Sequence, residues 1–340
     1  MARSRRKVDI YSQPGLFDFS EEKTYTANED WEAGRVLYKG GRTVSGGRSE
    51  GVIPPVENID RSLLRFISFG SGSSGNSAYL GTDDYGIIID AGVNPDKIEE
   101  ELQRNGIEMR QVVGIILTHD HSDHVGYTYK LLRNNRHLGL FCTPRTLNGL
   151  LKRHGLSLRV KDYHKPIYKE IPFKIRELQI TAFEVSHDGS DNVGYIIQYR
   201  HHNFVVATDM GYINDRAENY MKMATALMIE SDYDSEMLRN GRYPEYLKAR
   251  IMASKGHLDN KQVADFLRKG WTEKLHNIFL CHLSKDNNVP QLAFETAKKA
   301  LLDAGAEFVG DGSESIESRN APVQLYPLPR FDTSPLFILR

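Results

Sequence analysis

The sequence predicts an α+β fold of four layers, αββα, in which two β-sheets pack face to face with helices outside. Two observations carry this. From Leu63 onward, short apolar runs and amphipathic segments come in two successive β-rich rounds, each decorated with helices. Two such rounds suit two sheets that bury a common core. The first 62 residues differ: a stretch such as "ANEDWEAGRVLYKGGRTVSGGRSEGVIPP" is rich in glycine and charge and lacks sustained periodicity. It reads as a mostly disordered extension. The expected organisation is an extension over 1–62, a catalytic domain over 63–318 and a C-terminal tail over 319–340.

In the first round, "LLRFISFG", "SAYLGT" and "YGIIIDAG" read as three strands joined by tight turns. "PDKIEEELQRNG" reads as an amphipathic helix, with Pro95 near its start and Gly106 past its end. "VVGIILTH" is a buried strand, "YTYKLLRNN" a helix, "LGLFCTP" a strand and "TLNGLLKRHG" a helix. In the second round, "FKIRELQITAFEVSH" reads as strands ending in a histidine. "NVGYIIQYRHHNFVVATDMG" reads as a hairpin ending in an aspartate. A buried strand "ATALMIESD", the helix "NKQVADFLRKG", the strand "NIFLCHLS" and the helix "VPQLAFETAKKALLDAG" complete it. The tail "APVQLYPLPRFDTSPLFILR" is broken by prolines and receives no assignment.

Composition excludes several classes. With 44 Lys and Arg against 45 Asp and Glu, the formal net charge is −1, so any polyanion site must be local. Only two cysteines, Cys142 and Cys281, occur, far apart. That argues against a disulfide framework and a zinc-thiolate site. No apolar run has membrane-spanning length, and "MARSRRKVDI" lacks the apolar core of a signal peptide. A cytoplasmic protein is the expectation.

The chemistry gathers at strand ends. "LTHDHSDHVG", Leu117 to Gly126, holds three histidines and two aspartates directly after an apolar strand. Asp90 follows "GIII", His187 follows "ITAFEV", Asp209 follows "FVVAT" and His282 follows "NIFLC". Loops at strand ends are where a rigid scaffold presents functional groups. Imidazole and carboxylate donors suit zinc, manganese or iron. A His-x-His pair on an extended segment puts His119 and His121 on one side. Asp123 and His124, after a turn, can face a second ion, and Asp209 is placed to bridge the two. Two adjacent cations suit hydrolysis, because they acidify a water and stabilise both attacking and leaving oxygens. His137, His154, His164, His201, His202 and His276 read as structural or exposed.

"THDHSDHVG" resembles the His-x-His-x-Asp-His signature of the metallo-β-lactamase superfamily. The later residues follow that superfamily's order: an early strand-end aspartate, a lone histidine, a bridging aspartate and a final histidine. The resemblance implies the four-layer fold and two divalent cations, zinc or manganese. It implies His119, His121 and His187 as ligands of one, Asp123, His124 and His282 as ligands of the other, and Asp209 as the bridge. It implies that Asp90 orients a ligand histidine, as metal sites commonly require. "SFGSGSSGNSAYL", "KGHLDNKQVADFL" and "CHLSKDNNVPQLA" are similar to the YycJ/WalJ branch of 5′–3′ DNA exonucleases. His257 and Glu230 resemble a histidine–glutamate pair of the tRNA 3′-processing nucleases, acting near the leaving group. A carboxylate beside an imidazole favours the protonated form that a general acid needs. Asp123, His257 and Glu230 are therefore the catalytic candidates.

The turn "GSGSSGNS" offers backbone N–H groups and small side chains that suit an anion, with Ser73, Ser74 and Asn76 as candidate phosphate contacts. Ser284, Lys285 and Asn288 in "SKDNN" are further candidates. In the extension, Gln13, Leu16 and Phe17 form a Q-x-x-L-F pattern that resembles the peptide by which bacterial replication and repair proteins dock on the DNA sliding clamp. The expected function is metal-dependent hydrolysis of DNA, a 5′–3′ exonuclease in repair or replication. Its rivals are a small-molecule phosphodiester or thioester hydrolase on the same fold, and a clamp-binding adaptor without turnover.

Overall fold

The computed structural model describes residues 63–312, 315, 318 and 320–339. The extension over 1–62, with its Gln13, Leu16 and Phe17, lies outside them.

One sheet is built from β1 (Leu64–Gly70), β2 (Ser77–Gly81), β3 (Gly86–Ile89), β4 (Val112–Ile116), β5 (Gly139–Cys142) and β6 (His164–Pro166). The other takes β7 (Phe173–Ile175), β8 (Leu178–Glu184), β9 (Val193–Tyr199), β10 (His202–Ala207), β11 (Ala226–Glu230), β12 (Asn277–Cys281), β13 (Val309–Gly310) and β14 (Val323–Pro327). The last strand, β15 (Phe337–Leu339), returns to the first sheet. The strand orders are β15-β1-β2-β3-β4-β5-β6 and β13-β14-β12-β11-β10-β9-β8-β7. Antiparallel pairing gives way to parallel pairing at β3–β4 in the first sheet and at β10–β11 in the second.

Side chains alternate across each strand, so both faces of each sheet must be covered. Phe66, Leu80, Ile87 and Ile116 of the first sheet meet Ile180, Tyr195, Ile197, Phe204, Val206 and Phe279 of the second in the central core. Their neighbours point the other way. Ile67, Tyr79, Ile88 and Ile115 pack on α1 (Pro95–Arg104), α3 (Thr128–Asn134) and α4 (Pro144–Lys152), which supply Ile98, Leu102, Leu131, Leu132 and Leu150; the short α2 (Ser122–Val125) precedes α3. Val205, Leu227, Ile229, Ile278 and Leu280 pack on α5 (Asp215–Met221), α8 (Asn260–Gly270) and α9 (Pro290–Asp303). Between α5 and α8, α6 (Ser235–Asn240) and α7 (Glu245–Ile251) pack a smaller cluster of Tyr233, Leu238, Leu247 and Ile251. The four layers are those the apolar patterning predicts.

The residues read as a tail, 319–340, contribute to both sheets. β14 pairs with β12 from Asn277↔Gln324 to Leu280↔Pro327, and β15 pairs with β1 at Leu64↔Leu339 and Phe66↔Phe337. The Phe337 ring closes on Phe66, Phe279 and Tyr326. Cys142 and Cys281 are buried and unbridged. Among the described residues no helix is long and apolar enough to cross a membrane.

Candidate metal centre

The loops that follow β3, β4, β8, β10 and β12 meet at one rim. His119 and His121 leave β4, while Asp123 and His124 sit on α2, which turns the chain back across it. Gly92 allows this turn to approach: a Cβ there would overlap the Asp123 carbonyl. Asn76 N donates to that carbonyl at 2.7 Å, and Ala91 N donates to His124 O at 2.7 Å, tying the loops together. Asp90, Asp209 and His282 follow directly on β3, Thr208 and β12, and all three take left-handed backbone conformations, with φ of 58°, 54° and 56°.

Four groups of donors converge, one of them Asp209, Glu230, His257 and His282. Ligand atoms of His119, His121 and His187 lie within 4.8 Å of one another, as do those of Asp123, His124 and His282. Those of His119, His124 and Asp209 do likewise, which puts Asp209 at the junction. Its Oδ2 is 3.2 Å from His124 Nε2, and its Oδ1 is 3.5 Å from His282 Nε2 and 3.8 Å from His187 Nε2.

Outer partners aim the rings. Asp90 accepts from Thr118 N and Thr118 Oγ1, both at 2.8 Å, and from His124 Nδ1 at 2.8 Å. Because Thr118 gives its proton to Asp90, its oxygen accepts from His119 Nδ1 at 3.0 Å. His187 Nδ1 donates to Gly256 O at 2.9 Å. The Nε2 atoms of His119, His124 and His187 are thereby left as lone-pair donors facing inward. His121 is turned round, with Nδ1 3.2 Å from His187 Nε2 and Nε2 3.1 Å from Asp188 Oδ1.

This set fits a divalent cation on its own evidence. His119 Nε2 is buried without a hydrogen-bond partner, a loss that a buried polar atom does not ordinarily bear. Burial, reinforced by the His124 charge, holds the His119 pKa well below the ordinary value, and burial brings His187 down to about 4. His124 and His282 go the other way. Burial opposes their charge, but Asp209 and the other carboxylates around them outweigh it and raise both well above the ordinary value. For Asp123 burial works upward, yet His124 and His282 together bring it down to about 2. Lone pairs on His119 and His187 beside carboxylates that only imidazole protons balance suit a cation that accepts several donors at once.

Beside the donors, His257 Nδ1 donates to Glu230 Oε1 at 2.6 Å. Glu230 is fully buried, and its Oε2 accepts from Met210 N at 2.7 Å and Leu258 N at 3.2 Å. Burial disfavours the charged imidazole, but Glu230 and Asp232 outweigh it and lift His257 to about 9. The α8 helix starts after it, capped by Asp259, whose side chain accepts from Gln262 N.

Two of the expected substrate contacts are buried. Asn76 is buried: its Nδ2 lies 3.1 Å from Asp123 Oδ2 and 2.9 Å from His124 Nε2, and its Oδ1 accepts from Gly72 N. Its amide nitrogen lies against the same His124 and Asp123 atoms that are the candidate metal donors. Asn288 is buried too, donating to Ser231 O and Asp232 O and exchanging bonds with Asn260. In both, a carboxamide beside loops with unsatisfied backbone groups satisfies those before it can reach solvent. Ser74 and Lys285 are exposed, and Ser73 and Ser284 half-buried. Sequence reasoning missed Asp188, which faces His121 and takes Arg250 Nη2 at 2.6 Å, and Asp232, 3.6 Å from His282 Nδ1. Each lies within two residues of a candidate, Asp188 after His187 and Asp232 after Glu230, and adjacency was the available signal.

Residues 85–275 match the family model of the β-lactamase superfamily domain. The exodeoxyribonuclease YycJ of Bacillus anthracis is 32% identical over 243 residues, covering 71% of this chain and 90% of that protein. The exodeoxyribonuclease WalJ of Streptococcus pneumoniae serotype 2 is 32% identical over 242 residues, covering 71% and 89%. Among solved structures, the metallo-β-lactamase fold protein YhfI from Bacillus subtilis superposes with a TM-score of 0.58 at 13% identity, covering 82% of this chain and 100% of that one. That last likeness bears on the fold alone.

Proposed function

The chain belongs to the β-lactamase superfamily, in the family of the YycJ and WalJ exodeoxyribonucleases, and is a metal-dependent hydrolase; from that premise we propose that it cleaves the phosphodiester bonds of DNA from an end, 5′ to 3′, in repair or replication. The observation that carries this reading is the convergence of two donor triads with the buried His257–Glu230 pair beside them.

In this reading His119, His121 and His187 would hold one divalent cation, Asp123, His124 and His282 would hold a second, and Asp209, whose carboxylate faces donors of both sets, would serve either. Zinc and manganese both suit these donors. When bound, the cations supply an acidified water and neutralise charge on the phosphate. The protein does the rest. Asp90 and Thr118 fix the tautomers of His124 and His119, so that each ring keeps its lone pair for the centre. His257, fixed by Glu230 through Nδ1, holds a proton on Nε2 and delivers it to the leaving oxygen. The peptide around Gln13, Leu16 and Phe17 tethers the enzyme to the sliding clamp.

Incubating the protein with end-labelled single- and double-stranded DNA and with bis-p-nitrophenyl phosphate, in manganese and then in zinc, tests the function. Stepwise release of nucleotides from a 5′ end is expected. Cleavage of the small ester alone points to a small-molecule hydrolase, and cleavage of nothing to an adaptor. Titrating the sliding clamp into protein with and without residues 1–20 tests the tether; equal affinity excludes it.

A further inference from the structure

Arg330 lies between β14 and β15, in the segment that carries the chain from one sheet to the other. Its guanidinium is lodged between two loops of the metal rim. Nη1 donates to Leu283 O at 2.8 Å, next to His282, and Nη2 donates to Ser73 Oγ at 2.5 Å, in the turn that leads to Asn76. The backbone is held as well. Ser71 N donates to Arg330 O at 3.3 Å, and Ser71 Oγ accepts from His282 N at 2.9 Å. Lys97 Nζ clamps the next residue, donating to Phe331 O at 2.8 Å and Phe69 O at 2.6 Å. Gly72 makes room: a Cβ there would stand 2.8 Å from Nη1.

This guanidinium has cationic charge but no anionic neighbour in contact with it. Both bonds go to neutral oxygens, Nε is buried with no hydrogen-bond partner, and no carboxylate of the described residues forms an ion pair with it. Burial lowers its pKa against the more distant pull of Asp232, Asp286 and Asp123. A half-buried guanidinium with its Nε out of water and no counter-charge in contact is costly, and its planar fork matches a phosphate group. We propose that Arg330 is a phosphate anchor of the substrate strand, seated on the rim between the loop that carries His282 and the turn that carries Ser73. This rests on the DNA reading above. The glycine-serine turn then has a definite role, in which Gly72 and Ser73 shape and orient the arginine and the arginine meets the phosphate.

The test compares three proteins in the slowed His257→Ala background: the parent, Arg330→Met and Arg330→Lys. Binding of labelled single-stranded DNA is followed by fluorescence anisotropy over a salt series, with thermal melting recorded for each. In Arg330→Met, affinity should fall roughly tenfold or more, as for a lost charged hydrogen bond. The slope of log K against log salt should shrink by about 0.7, the value for one phosphate contact on a single strand. Arg330→Lys should keep the slope but bind more weakly, having charge without the fork. An unchanged slope in Arg330→Met overturns the proposal. So does equal loss of affinity in both variants with a lowered melting temperature, which would make Arg330 a tether for its segment. If the parent itself fails to bind DNA, the substrate reading falls first.

Discussion

The proton-donor role proposed for His257 comes from its surroundings. An exposed imidazole with a pKa near 6.5 is a poor acid at neutral pH because most of it is deprotonated. Here burial opposes the charge, yet Glu230 behind it, itself held by two backbone N–H groups, lifts the value to about 9. The protonated form therefore persists below about pH 9 and is lost above it. His257→Ala should cut turnover by about 10²–10⁴-fold, the usual size of a general-acid contribution, while retaining metal. Wild-type activity should fall on the alkaline side of pH 9, and that limb should vanish in the variant. Turnover and metal content measured across pH decide it; an alanine variant as active as wild type removes His257 from the mechanism. Residues of this kind were legible when motif and strand end coincided, as at His119 to His124. Arg330 was not, because its meaning comes from Ser73 and Leu283, which are remote from it in sequence.

At the scale of elements, the strand ends do the positioning. Asp90, Asp209 and His282 each leave a strand in a left-handed conformation, at a cost of the order of 1 kcal/mol apiece for a residue with a Cβ. The reversal swings each side chain off the pleat and into the rim. The strands carrying these residues could be read in advance because their runs are apolar on both faces, as buried strands must be. β14 and β15 could not. Pro327, Pro329 and Pro335 interrupt the pattern, and β15 pairs over Phe337–Leu339 alone. Its value lies in long-range packing: Leu339 is buried opposite Leu64, and Phe337 meets the rings of Phe66 and Phe279. Leu339→Ala should therefore cost about 2–5 kcal/mol, the range for truncating a buried leucine. Urea denaturation at fixed metal concentration measures this. A loss under about 0.5 kcal/mol, typical of surface sites, would mean that the strand contributes no core.

For the whole molecule, the centre is a charge problem placed between two apolar layers. Asp90, Asp123, Asp209, Glu230 and Asp232 are buried or nearly so around His119, His124, His187 and His282. Without a cation, imidazole protons are the positive charge nearest these carboxylates, and Asp209 with its neighbours pushes His124 and His282 well above their ordinary value. A cation that takes their lone pairs must displace those protons. Both groups have raised pKa values, so deprotonating them becomes easier as pH rises, and metal affinity must rise with it. Uptake should accordingly release protons, visible as a dependence of the calorimetric heat on buffer ionisation enthalpy. Since the donors converge only in the folded chain, the same binding stabilises the fold, by about 2.7 kcal/mol at a free concentration 100 times Kd. Stripping with a chelator should lower Tm, and returning the metal should restore it. A Tm indifferent to chelation, together with uptake heats that do not depend on the buffer, would mean that these histidines and carboxylates are balanced by something other than a metal.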